Sequence, residues 1–230
     1  MDETETTESA PSASPAPPLL LNAIEARIVG SLVEKQATTP DAYPLTLNAV
    51  ASACNQKTSR EPVTDFEIGE VGHALRQLEG KGLVVGSLSA RASRYAHRFD
   101  ESYAVTPRQR ALLAVLLLRG AQTINELHVR SERFAEFPDA DEVRSVLDRL
   151  VSRSPALVVR IPRQAGQRED RYMHLLCGPI SLADYAQVSA ESGESRSSLG
   201  ERVERLETLV ASLQAELTQL RTSSGDDERA

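Results

Sequence analysis

Three short pieces of this chain occur twice, in the same order, about 75 residues apart. Thr46-Leu47-Asn48 returns as Thr123-Ile124-Asn125, and Leu83-Val84-Val85 returns as Leu157-Val158-Val159. Arg94-Tyr95-Ala96-His97 returns as Arg171-Tyr172-Met173-His174. Such a repeat means a duplicated unit, so any fold assigned to one copy must also suit the other.

The local signals agree between the copies. Asn22, followed three residues on by Glu25, makes a capping-box start. Ile24, Ile28, Leu32 and Val33 then recur at helical spacing, which predicts a helix over 22–36. Pro40 and Pro44 break the chain, and Thr46 can cap a short helix carrying Leu47, Val50 and Ala51. Asp65 can cap a third helix with Ile68, Val71, Leu75 and Leu78 on one face, ended by Gly80 or Gly82. LVVGSL and RYAHRF read as strands separated by SARAS.

In the second copy, 107–118 predicts the first helix and Thr123 caps TINELHVRSERF. Asp139 or Asp141 starts the third helix, which carries Val143, Val146, Leu147 and Leu150. LVVRIPR and RYMHLLC are its two strands, around QAGQRED. Three helices closed by a two-stranded hairpin is the winged-helix plan, a helix-turn-helix with a β flap.

The expected fold class is therefore α+β: mainly α with small β-hairpins, as two tandem winged-helix domains plus a C-terminal coiled-coil helix. The expected boundaries are a disordered tail over 1–18, domains over 19–105 and 106–178, a linker over 179–195, the coil over 196–222 and a disordered tail over 223–230. Each copy is near the lower size limit for a self-supporting core, so the two are expected to pack together.

The ends read differently from the middle. Of the net charge of −7, residues 1–18 carry −4 and residues 179–230 carry −5, whereas 106–178 carry +3. MDETETTESAPSASPAPP has almost no large apolar side chain and cannot offset its chain entropy by burial. It has neither the basic start nor the apolar core of a secretion signal, and no apolar run is long enough to span a bilayer. Cys54 and Cys177 lie far apart without metal-ligand spacing, which predicts reduced, buried thiols in a cytoplasmic protein with no membrane partner.

EARIVGSLVEKQATTPDAYPLTLNAVASACNQKTSREPV, LLLRGAQTINELHVRSERF and RYMHLLCG closely resemble the YceH-like family of bacterial proteins, over roughly residues 22–178. The resemblance implies tandem winged helices and a bacterial cytosolic protein. It implies no biochemical activity, because that family is generally described as uncharacterised. It also implies Asn where this chain has Ser59.

Winged helices ordinarily place the third helix in the major groove of DNA. Here its N-terminal turn carries Asp65, Glu67 and Glu70 in the first copy, and Asp139, Asp141 and Glu142, with Asp148 further along, in the second. Duplex DNA carries about one negative charge per 1.7 Å, so such tips are repelled. These acids suit the start of a helix through capping and the macrodipole instead. Cations lie elsewhere. Arg91, Arg94 and Arg98 decorate the first hairpin, and Arg160, Arg163, Arg168 and Arg171 the second. Strand alternation turns Tyr95, His97 and Phe99 toward the helices and Arg94 and Arg98 toward solvent, with Tyr172, His174 and Leu176 repeating the inward set. Such arginines can grip phosphates, form a solvated strand face or hold an acidic protein.

The run ACNQKTSREP over 53–62 joins helix two to helix three in the first copy only. Asn55 and Gln56 can cap helix two and tie the turn to its neighbour. Lys57 and Arg60 are the better candidates for an external contact.

Past the repeat, Leu199, Leu206, Leu213 and Leu220 recur every seven residues, with Val203, Val210 and Leu217 four residues after the first three. This seam favours parallel dimers, with Arg202 facing Glu207 and Glu216 facing Arg221 across the pair. The competing reading is an amphipathic helix folded back on the body, although Gly193 and SGESRSS suggest a flexible joint.

His73, His97, His128 and His174 lack ligand spacing with acids or thiols, and neither a phosphate-cradling glycine loop nor a nucleophile elbow is present. No metal, cofactor or catalytic activity is expected. The sequence points to a homodimeric protein binding double-stranded DNA through its wings and first turn. The alternative is an adaptor that engages a protein partner through acidic helices and the coil.

Overall fold

The computed structural model describes residues 19–88, 93–163 and 167–181, and within them the chain alternates helices with small antiparallel sheets. The order is α1 (Ala23–Thr38), a single 3-10 turn (Pro40–Ala42), β1 (Leu45–Thr46), α2 (Leu47–Cys54), α3 (Ile68–Gly80), β2 (Val84–Leu88), β3 (Ser93–His97) and α4 (Phe99–Tyr103). The second copy follows with α5 (Pro107–Arg119), α6 (Ile124–Ser131), α7 (Ala140–Val151), β4 (Val158–Ile161) and β5 (Arg171–His174). Among the described residues, seven helices and small antiparallel sheets make a mixed α+β fold. The segments 1–18 and 196–230, and with them every heptad residue from Leu199 to Leu220, lie outside the described residues, as does Arg91.

Helix starts follow the local chemistry closely. Asn22 Oδ1 accepts from Glu25 N–H while Glu25 accepts from Asn22 N–H, which satisfies two orphan donors of α1. Thr46, Thr123 and Asp139 cap α2, α6 and α7 through their side chains. The expected cap at Asp65 is a correction. The helix begins two residues later, after Glu67, whose N–H donates to Glu70. Asn55 is the cause: its side chain accepts from Phe66 N–H and donates to Phe66 O, holding the chain extended past Asp65.

Two further elements were not anticipated. β1 pairs with β3 at Leu45–Tyr95 and Thr46–Arg94, so the first sheet has three strands in the order β1-β3-β2. The second copy keeps only a trace of this, a bridge between Gln122 and Tyr172 beside the β4–β5 pair. The run RYAHRF is also shorter as a strand than expected. β3 stops at His97, whose Nδ1 accepts from Phe99 N–H, and Phe99 opens the short α4 instead of extending the strand. Phe99 is fully buried and lies 4.9 Å, centroid to centroid, from Tyr103.

The first helix of each copy is buried on nearly every face. Residues Glu25 through Glu34 of α1 and Ala111 through Leu118 of α5 are all inaccessible. A helix hidden all round needs neighbours on every side, and here each of the two supplies the side that its own copy cannot. Gly30 sets their closeness: a Cβ there would sit 3.0 Å from the Leu118 side chain and 3.1 Å from Leu117 Cβ. The apolar side chains of both copies form one continuous core. Among the described residues no helix is long and apolar enough to cross a membrane.

Cys54 is buried, as expected, and burial pushes its thiol up to about 11. Cys177 departs from expectation: it is exposed, on the turn that follows β5. His97 and His174, the repeated imidazoles, are held inside. His97 Nε2 lies 2.8 Å from Gln36 Oε1, and burial lowers both rings from 6.5 to about 4. As pH falls from about 6.5 the unfolded chain takes up protons that the folded protein refuses, so stability declines through that window and levels off below about pH 4. The loss is on the order of 3 kcal/mol per ring at most. Denaturant unfolding between about pH 7 and pH 4.5 should show this decline, and His97→Gln with His174→Gln should flatten it.

Candidate nucleic-acid interface

The polar run between α2 and α3 turns inward. Arg60 is only 5 % exposed, and its guanidinium donates to Ala53 O from Nε and Nη2 at 3.0 and 2.8 Å. It also donates to Ser59 O, to Gln56 Oε1 and, at 2.5 Å, to Glu34 Oε2. Glu34 itself is 3 % exposed, on α1. Burying a carboxylate without a partner is costly, and Arg60 is that partner. Arg60 is therefore not an external contact, which corrects the reading of the sequence. Arg27, 5 % exposed, repeats the device by donating to Cys54 O and Pro62 O.

The same turn grips the second copy. Ser59 Oγ accepts from Arg119 Nη2 at 2.8 Å, Glu61 N–H donates to Leu118 O, and Arg133 reaches Glu34 at 3.7 Å. Ser59 needs a left-handed backbone, φ 61°, to present both its carbonyl to Arg60 and its hydroxyl to Arg119. Asn and Gly occupy that region more readily than Ser. Of the run, Lys57 and Thr58 alone are fully exposed from Asn55 to Arg60. The second copy has no such clamp to make, because its partner has already made it.

The cations of the hairpins divide into two sets. Arg94 donates to Pro44 O at 2.7 Å, and its counterpart Arg171 donates to Ala121 O at 2.9 Å and pairs with Glu126 at 3.1 Å. Both are half-buried and staple their hairpin to the segment before helix two, so neither points freely to solvent as strand alternation suggested. Arg98, Arg163 and Arg168 are exposed.

Arg163 and Arg168 flank the second hairpin turn and share a cleft of about 420 Å³ with Arg144 of α7 and Arg160 of β4. Ile124, Asn125, Ala140 and Tyr172 form the rest of its lining, together with Glu169 and Asp170. Arg144 was not singled out in the sequence. It lies on the helix whose acids dominated that reading, on the side away from Val143, Val146 and Leu147. Asp170 organises the wall: Oδ2 accepts from Arg160, at 2.7 Å from Nε, and Oδ1 accepts from Arg163 N–H. Those donors hold the Asp170 carboxyl below its ordinary value, and the Asp170 carboxylate raises Arg160 in turn. The first copy offers the opposite surface. Asp65, Glu67 and Glu70 are exposed around Ile68, 52 % exposed, at the tip of α3.

The buried pair can be tested by removing one charge or both. Glu34→Ala leaves Arg60 uncompensated and should cost roughly 3–5 kcal/mol in denaturant unfolding. Glu34→Leu with Arg60→Met should recover part of that loss, since an apolar pair replaces an ionic one at similar volume. An equal loss in both variants would place the energy elsewhere.

Comparison with known proteins now bears on identity. The family model described as "Protein of unknown function, DUF480" matches residues 21–167. The UPF0502 protein Smlt0097 of Stenotrophomonas maltophilia (strain K279a) is 55% identical over 207 residues, covering 88% of this chain and 94% of that protein. The UPF0502 protein XAC4278 of Xanthomonas axonopodis pv. citri (strain 306) is 51% identical over 208 residues, covering 88% and 93%. The names these matches carry are DUF480 and UPF0502 in place of the YceH-like one. The chain belongs to the DUF480, or UPF0502, family of uncharacterised bacterial proteins.

Proposed function

We propose that this chain is a non-enzymatic, tandem winged-helix protein of the bacterial cytoplasm that binds duplex DNA by its phosphates, chiefly through the second copy. The winged-helix reading is supported by the element order, in which three helices and an antiparallel pair occur twice. The observation that carries the DNA reading is the grouping of Arg144, Arg160, Arg163 and Arg168 beside the second hairpin. Guanidinium groups on a hairpin flank follow a backbone without reading bases, which suits a third helix whose tip is acidic.

Lys57 and Arg98 are exposed on the first copy and are open to phosphate contacts of their own. Arg60 is withdrawn from such contact by burial, and Arg94 and Arg171 are half-buried, each with one guanidinium nitrogen on a backbone carbonyl.

Duplex binding followed by anisotropy should weaken as salt rises, with a log–log slope of about −0.9 per phosphate contact. Arg163→Ala and Arg168→Ala should each make that slope shallower by about one, uniformly across duplex sequences. Absence of binding at low salt would favour the second reading, an adaptor for a protein partner. That reading draws support from the exposed Ile68 and Val63 among the acids at the tip of α3.

Self-association through 196–222 belongs to the same proposal. The heptad seam from Leu199 to Leu220 supports a parallel pair, which would double the number of basic clefts presented to one duplex. Mass measurement should give a dimer for the full chain and a monomer for a chain ending before residue 196. A monomer in both would reject it.

A further inference from the structure

The cleft beside the second hairpin has features that a solvated strand face lacks. It is concave, and its volume of about 420 Å³ lies in the range of roughly 300–1,000 Å³ typical of small-ligand sites. Its four guanidinium groups come from separate places in the chain: Arg144 from α7, Arg160 from β4, and Arg163 and Arg168 from either side of the hairpin turn. The first residues of α6 and α7, Ile124 and Ala140, also line it, behind N-termini whose N–H groups are capped by Thr123 and Asp139.

The two acids in the lining offset only half of this charge: four guanidinium groups against Glu169 and Asp170 leave +2. Both Asp170 oxygens are occupied, by Arg160 and by the Arg163 N–H, and Glu169 Oε1 accepts from Asn125 Nδ2 at 2.9 Å. Three guanidinium groups keep donors to spare. Among the described residues Arg144 pairs only with Asp141, at 3.8 Å, with the two side chains 56% and 92% exposed. Among the described residues Arg163 Nη1 reaches only the Arg168 carbonyl, at 3.4 Å. Arg168 enters no ion pair among the described residues.

We propose that this cleft is a binding subsite for a single phosphate group, with Arg144, Arg163 and Arg168 as its direct partners. Arg160, fixed by Asp170, forms the rigid wall behind them. A planar carboxylate offers its oxygens in one plane, which suits one fork. A tetrahedral phosphate presents oxygens in several directions and can take three forks from separate segments. The proposal goes beyond the DNA reading and does not depend on it. The phosphate can belong to a duplex backbone or to a small phosphorylated ligand whose apolar part lies on Ile124 and Ala140.

The test uses the full chain and inorganic phosphate, added at constant ionic strength against chloride, with the arginine Nε–H signals followed by NMR. One-site saturation that moves Arg144 and Arg163 is the expected result. Arg163→Ala with Arg168→Ala should weaken it by roughly tenfold or more, the effect of lost charge-assisted hydrogen bonds. Arg144→Gln should act in the same direction, whereas Arg76→Ala, at an exposed position on α3, should leave it unchanged. These side chains are exposed, and denaturant unfolding of each variant checks that the fold is intact.

Shifts that never saturate, or saturation that survives loss of Arg144, Arg163 and Arg168 together, would overturn the proposal. A second arm assigns the source. Displacement of phosphate by duplex DNA makes this a backbone subsite, and simultaneous binding makes it a small-ligand site. Saturable phosphate without any duplex binding would retire the DNA reading while the subsite stands.

Discussion

One buried ion pair organises the contact between the two copies. Glu34 sits on a helix that is hidden on almost every face, and Arg60 is the cation that keeps its charge tolerable there. The pairing fixes the path of the chain after α2. Once Arg60 is drawn in, Ser59 must adopt a left-handed backbone, and that places its hydroxyl against Arg119 of the second copy. Glu61 then reaches the Leu118 carbonyl at the end of α5. Buried pairs of this kind often add little stability beyond what an apolar pair would give. The role here is one of placement: it decides which surface of the first copy meets the second.

The copies have diverged from one plan toward unlike surfaces. Arg94 and Arg171 keep the ancestral duty, each donating to a carbonyl just ahead of helix two. The tips of the third helices remain acidic in both. Around them the first copy exposes Ile68 and Val63, whereas the second gathers four arginines into a cleft. Packing accounts for the first copy's side of this. The turn of the first copy is occupied by the second, which takes Ser59 and Glu61 into the contact and leaves Arg60 buried.

Much of the fold was legible because it depends on local rules. The capping box at Asn22 and the caps at Thr46 and Thr123 are short-range chemistry, and each stands where the sequence put it; of the two starts it offered for α7, Asp139 and Asp141, the helix uses Asp139. The misplaced start of α3 shows where such rules end. Asp65 is a good cap by type, but Asn55, ten residues back, holds the next residue in an extended conformation. Arg60 was misjudged for a similar reason. A cation in a polar run reads as exposed until a buried acid 26 residues away is known to need it. Arg144 escaped notice because the surrounding acids drew the reading of that helix, and only the cleft reveals which residues share a space.

The narrow seam at Gly30 has an evolutionary side. Once α1 and α5 press together with no room for a single methyl, neither module can be set free again without baring a helix that is buried all round. Duplication here was a one-way step: what began as two interchangeable beads has become a fused pair. Recombination can carry that pair from gene to gene only as a whole.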